Sequence, residues 1–127
     1  MQKISSIYIA FLLIFLLPAI SQGETDYRDP EQLEFLIEEQ AEPYILVDVR
    51  TKEEYDYGFI PTAINIPYDI IGQNLPTQDK TALIIVYCRS GRRSAIAAET
   101  LESLGFDNVT DFGGVNRWKG KLRKTSQ

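Results

Sequence analysis

The sequence predicts a single α/β domain with a mostly parallel central sheet and helices on both of its faces. Three observations carry this expectation. Residues 44–49 and 83–87 are apolar, β-branched runs that read as buried strands. Helix-start signals and helical spacing alternate with these runs along the chain. The strand-like runs also end on charged or reactive side chains, Asp48 and Arg50 in one case and Cys88 in the other. Open α/β sheets gather functional groups at such strand ends.

In chain order, Asp29-Pro30-Glu31-Gln32 reads as a helix start, with Asp29 as N-cap, Pro30 in the first turn and Gln32 at the capping-box position. Leu33, Leu36 and Ile37 keep helical spacing, so the helix is expected to reach about Gln40. The strand at 44–49 follows, and then Thr51 and Glu54 fit a second capping box that opens a short helix ending before Gly58. Residues 60–67 read as a short strand closed by Pro67, with a short helix expected near residues 68–72. The strand at 83–87 leads into a loop and a helix from Ser94 to Leu104, packed through Ala95, Ala98, Leu101 and Leu104 and stopped by Gly105. Residues 109–112 form the last predicted strand, followed by a Gly113-Gly114 turn and a final turn carrying Trp118.

The N-terminal segment has Lys3, an apolar stretch over residues 7–17, Pro18, and the small residues Ala19, Ser21 and Gly23. This is the layout of a secretory signal peptide over residues 1–23, and the apolar run is short for a spanning helix of about 20 residues. Cleavage is expected after Gly23, with cleavage after Ser21 or retention as an anchor as the alternatives. The lack of a cysteine near the cleavage region excludes a lipoprotein anchor. Residues 24–127 are then one domain with its core at about 33–120, exported, and periplasmic if the source is Gram-negative. Membrane contact is expected only through the signal segment, and a monomer is expected.

Composition removes several chemistries. The chain has no histidine and one cysteine, so Cys-His and Ser-His-Asp hydrolysis, histidine metal sites and an internal disulfide are all excluded in their usual forms. No metal or organic cofactor is expected. A net charge of -5 argues against nucleic acid as a partner. The charge is uneven, with twelve acids and three bases over residues 24–56 and five bases without an acid over residues 117–124, a pattern read as two solvated faces.

The run Tyr87-Cys88-Arg89-Ser90-Gly91-Arg92-Arg93-Ser94 places the only cysteine where a buried strand meets a helix. Thiolate is the reactive form of cysteine, and both guanidinium charge and a helix N-terminus favour it. Loop amides at that position point inward at an anion. A merely structural buried thiol would leave the arginines without a role. Cys88 is therefore the candidate nucleophile. Arg89, Ser90, Gly91, Arg92, Arg93 and Ser94 are the candidate binders of an anionic substrate, with Asp48 and Arg50 in support.

Over most of its length, roughly Leu33 to Gly120, the chain resembles the rhodanese (sulfurtransferase) family in its single-domain form. The resemblance rests on Val47-Asp48-Val49-Arg50, Glu53-Glu54-Tyr55, the stretch from Gly58 to Pro67, the loop from Cys88 to Ser94, and Phe112-Gly113-Gly114 with Trp118. The family usually has His where this chain has Phe59 and Gly where it has Thr62, and local repacking is expected at both. The resemblance implies a rhodanese-like fold and a cofactor-free, two-step transfer. Cys88 takes the sulfane sulfur of a donor such as thiosulfate as a persulfide, and a thiophilic acceptor, cyanide in the usual assay, removes it. It also implies that Arg50 pairs with an acid such as Glu54 and that Asp48 lies near the base of the loop. Phosphatases and arsenate reductases of the same fold resemble Cys-x5-Arg, one residue longer, whereas here Arg93 is the fifth residue after Cys88 and Ser94 the sixth. The alternative reading is an exported sulfur carrier or binding module with little turnover.

Overall fold

The computed structural model describes residues 23–126. The signal-peptide reading of residues 1–23 falls almost wholly outside them. Among the described residues no helix is long and apolar enough to cross a membrane.

The elements in order are α1 (Pro30–Glu39), β1 (Ile45–Asp48), α2 (Lys52–Tyr57), β2 (Ile64–Asn65), β3 (Ile84–Cys88), α3 (Arg92–Ser103), β4 (Val109–Gly114) and a 3-10 turn (Val115–Arg117). The four strands form one parallel sheet in the order β2-β1-β3-β4. Residues alternate between the two faces of each strand, and this alternation builds two cores. On one face Leu46, Ile85, Tyr87 and Phe112 pack with Leu33 and Leu36 of α1. On the other, Val47, Ile84, Val86 and Cys88 pack with Ala97, Ala98 and Leu101 of α3. Helices therefore cover both faces, as the uninterrupted apolar strands require.

Local chemistry sets the element ends. The Asp29 carboxylate accepts from the Glu31 amide at 2.9 Å, so α1 is capped by this single side-chain bond rather than through Gln32. The predicted box at α2 forms in full, with the Thr51 hydroxyl on the Glu54 amide and the Glu54 carboxylate on the Thr51 amide. Gly105, at φ 95°, stops α3 as expected. The Gly105 amide bonds to Glu102 O and the Phe106 amide to Leu101 O, while Phe106 and Leu101 meet in the core.

Several expectations are corrected. Only Ile64 and Asn65 of the 60–67 run join the sheet, because Ala63 and Ile60 close a turn and Pro67 ends the run. Residues 68–74 form hydrogen-bonded turns in place of a helix. The helix α3 begins at Arg92, two residues before Ser94, and its inner face is Ser94, Ala97, Ala98 and Leu101, while Ala95 and Leu104 are exposed. Gly113 and Gly114 continue β4 through a register shift rather than forming a turn after it. The fold also reaches beyond residues 33–120. Tyr27 is buried with α1, and Phe59 and Arg123 exchange backbone bonds of 2.8 and 2.9 Å, tying the C-terminal segment across the chain.

Thr62 sits at a strained position of the backbone. Its φ is 75°, in the left-handed region that disfavours a β-branched side chain. The Tyr44 hydroxyl, 2.9 Å from Thr62 Oγ1, holds the strained residue in place. Such strain is worth about 1–3 kcal/mol. Thr62→Gly is expected to raise the unfolding free energy by about 1 kcal/mol after the entropy of glycine is deducted, read from urea denaturation midpoints.

Candidate active site

The strand order reverses at the centre of the sheet: from β1 the chain moves out to β2, and from β3 it moves out to β4. The loops leaving β1 and β3 therefore diverge, opening a crevice at the C-terminal strand ends. Asp48 ends β1 and Cys88 ends β3, so the cysteine is the last strand residue rather than the first of the loop. Strand alternation then sends Tyr87 and Cys88 to opposite faces.

On the Tyr87 face, a buried polar network braces the crevice. Asp48 Oδ1 accepts from the Arg50 amide and Nε at 3.0 and 2.9 Å, and Asp48 Oδ2 accepts from Arg50 Nη2 at 2.6 Å and the Tyr87 hydroxyl at 3.0 Å. The Ile60 amide donates to the Tyr87 hydroxyl and Arg50 Nη2 donates to Gly58 O. Burial works against the charged form of Arg50, but bonding to Asp48 outweighs it and raises its pKa. Burial, with the Asp48 charge, pushes the Tyr87 phenol far above its ordinary range. The expected pairing of Arg50 with Glu54 is thus replaced by Asp48, which lies within reach of both the amide and the side chain of Arg50.

On the Cys88 face, the loop curls around sulfur. Gly91 is the N-cap of α3 at φ 106°, a conformation that suits glycine, and its amide lies 3.0 Å from Sγ. The Ser94 hydroxyl is 3.5 Å from Sγ and 3.0 Å from Gly91 O. Cys88 is 1% exposed. That burial favours the neutral thiol, yet the Ser94 hydroxyl and the amides of Ser94, Gly91 and Ser90 outweigh it and lower the pKa. Convergent hydrogen bonds, more than guanidinium charge, account for the acidity.

The arginines divide. Arg89 and Arg92 are exposed and form no ion pair among the described residues. Arg93 is engaged by α2: Nη1 and Nη2 reach the two oxygens of Glu54 at 2.7 and 3.0 Å. Bonding to Arg93, against the cost of burial and with help from Thr51, draws the Glu54 carboxyl down to about 2. Glu54 escaped the sequence reading as a site residue. Its capping position was legible, but a partner 39 residues away was not.

A shallow cleft of about 430 Å3 flanks the loop, lined by Arg50, Glu53, Glu54, Tyr57, Arg89 and Val115. Among the described residues no cluster of three or more His, Cys, Asp or Glu side chains could hold a metal ion.

Two outcomes follow from this geometry. Ser94→Ala removes the hydroxyl that accepts from the Cys88 thiol and that can turn to donate to the thiolate, and is expected to slow iodoacetamide alkylation of Cys88 at neutral pH by roughly three- to tenfold, with the rates converging at alkaline pH. The Glu54 pKa is depressed in the fold from the ordinary 4.5 to about 2. Its stabilisation is therefore complete above about 4.5 and disappears as pH falls through about 2; acid titration of Glu54→Gln is expected to lack this component.

Residues 29–121 match the family described as "Rhodanese-like domain". The chain is 37% identical over 111 residues to "Adenylyltransferase and sulfurtransferase uba4" of Ogataea parapolymorpha, covering 82% of this chain and 28% of that protein. The chain thus spans about a quarter of the length of this relative and of its counterpart in Debaryomyces hansenii. It is 36% identical over 79 residues to "Sulfurtransferase" of Allochromatium vinosum, covering 61% of this chain and 74% of that one. Among solved structures, the rhodanese-like domain protein of Staphylococcus aureus superposes with a TM-score of 0.66 at 38% identity, covering 76% of this chain and 95% of that one.

Proposed function

We propose that this chain, which belongs to the rhodanese-like family, moves sulfane sulfur from an anionic donor such as thiosulfate to a thiophilic acceptor through a persulfide on Cys88. The observation that carries the reading is the sulfur itself. It is buried, drawn toward thiolate by the loop amides and Ser94, and set at the N-terminus of α3 in a loop that carries two arginines free of ion pairs among the described residues.

The chemistry closes without a cofactor. The Cys88 thiolate attacks the outer sulfur of thiosulfate; the new S–S bond forms as the old one breaks, and sulfite leaves with the electron pair. The terminal persulfide sulfur then carries the negative charge, and the same inward amides stabilise it. Arg89 and Arg92, exposed at the mouth, attract the donor. Arg93, held by Glu54, orders the first turn of α3 and so the loop. An acceptor such as cyanide attacks the outer sulfur, thiocyanate departs, and the thiolate returns. With no histidine in the chain, no imidazole takes part in any of these steps.

We also propose that residues 1–23 direct export, that the mature chain begins at Glu24, and that it works in the periplasm. N-terminal sequencing of the secreted protein checks the start site, and another start residue overturns it.

Intact-protein mass spectrometry before and after thiosulfate tests the transfer. A gain of one sulfur is expected, removed by cyanide with release of thiocyanate and absent in Cys88→Ser. Sulfur gained but not yielded to cyanide would make the chain a carrier, and no gain from any sulfane donor would overturn the reading. Arg92→Ala is expected to raise the thiosulfate KM by roughly three- to tenfold with kcat little changed, the loss of one exposed charge-assisted contact. An unchanged KM would place Arg92 off the donor path.

A further inference from the structure

We infer that Gly114 is a positioning residue for the thiolate: by leaving room for the Arg89 carbonyl and Ser90 Cα, it keeps the Gly91 amide on Cys88 sulfur. The inference rests on Cys88 being the reactive thiol of the proposed transfer.

The argument begins with the register of β4. Val86 lies opposite Asp111, but Tyr87 lies opposite Gly113 and Cys88 opposite Gly114, so β4 carries one extra residue at this point. The Asp111 carboxylate fixes the irregularity by accepting from the Gly113 amide at 3.0 Å. The bulge therefore brings Gly114, rather than Gly113, beside the strand end that carries the cysteine.

Gly114 has φ -86° and ψ 143°, a conformation open to any residue, so backbone freedom does not explain the glycine. Space does. A Cβ at Gly114 would sit 2.7 Å from Arg89 O and 3.2 Å from Ser90 Cα, and would also collide with Asn116 Oδ1. The side chain of Asn116 can swing away; the Arg89 carbonyl belongs to the loop backbone and cannot move alone.

That carbonyl shares a planar, trans peptide with the Ser90 N–H, so the two point in opposite directions. With Arg89 O against Gly114, the Ser90 N–H is directed away from β4, and Ser90 Cα at the end of the same plane leads into the Ser90–Gly91 peptide, whose N–H lies 3.0 Å from Sγ. Pushing the carbonyl outward rotates the whole plane and shifts Ser90 Cα, itself in close contact with the space a Cβ would fill. The Gly91 amide, carried on the next peptide, is thereby swung off the thiolate.

The test is the pH dependence of Cys88 alkylation by iodoacetamide in the full chain, which needs no sulfur donor. Gly114→Ala is expected to react roughly tenfold more slowly at pH 7 and to approach the wild-type rate in alkaline solution, the signature of a raised thiol pKa. Gly120→Ala serves as the structural control, because its Cβ would strike the Trp118 ring at 2.7 Å, away from the loop. It is expected to lower the melting temperature and leave the pH profile unchanged. If Gly114→Ala does not fold, the double variant Gly114→Ala/Asn116→Ala relieves the Asn116 collision, retains the one with Arg89 O, and is read in the same way. A wild-type profile in either folded variant overturns the inference, as does a profile shifted equally by Gly120→Ala. Failure of sulfur transfer with an unshifted Cys88 profile in wild type would bear on the proposed function alone.

Discussion

Removing Asp48 from this fold would strand a guanidinium in the core, and the arrangement of the crevice hangs on that fact. Asp48 is fully buried and Arg50 nearly so, and their ion pair is 2.6 Å long. A buried pair adds little over an apolar replacement of similar shape, but breaking it by loss of one partner costs about 3–5 kcal/mol. Its value here lies in what it holds together. Through Tyr87 it fixes the strand residue next to the cysteine, through Ile60 the entry to β2, and through Gly58 the exit from α2. Every buried side-chain polar atom among the described residues has a partner, so the network has few alternative arrangements. The loops that must diverge at the sheet centre are thereby anchored from the face opposite the thiol.

This division lets the reactive face remain polar without weakening the fold. The sulfur and its donors sit above a core of Val86, Ala97, Ala98 and Leu101, and rigidity is supplied from below by the Asp48 network and from the side by the Glu54–Arg93 pair. The three loop arginines consequently do different work. Arg93 is partly buried and neutralised, so it shapes the turn, whereas Arg89 and Arg92 face solvent, where their field can reach an anion in solution. Identical side chains within five positions are separated by whether an acid from α2 meets them.

Much of this was legible from the chain alone. The buried strands, the Thr51–Glu54 box, the Gly105 stop and the place of Cys88 between a strand and a helix each depend on residues within a few positions of one another, and each appears as read. Expectations failed where long-range contacts decide. Arg50 chose the acid two residues before it, and Glu54 was taken by a residue from α3. The face of α3 was misjudged because only apolar residues were counted. Ser94 turns inward since its hydroxyl finds Gly91 O and the cysteine sulfur, and that rotation sets Ala95 and Leu104 outward. The Phe59–Arg123 bridge joins residues far apart in the chain and carries no periodic signal at all.

The source of Cys88 acidity has a consequence for how the site tolerates change. A thiolate stabilised by distant positive charge would respond gradually to the loss of any one arginine, because Coulomb energy falls slowly with distance. Hydrogen bonds weaken steeply once the donor angle degrades. A site that draws its acidity chiefly from the amides of its loop is therefore less sensitive to the net charge of its mouth than to small rotations of its backbone. The glycines at 91 and 114 guard that geometry in different ways, one by adopting a left-handed conformation and the other by vacating space. Changes at the arginines should then chiefly alter attraction of an anion, and changes at the glycines should alter the reactivity of the sulfur, so the two properties can be varied separately within a single short loop.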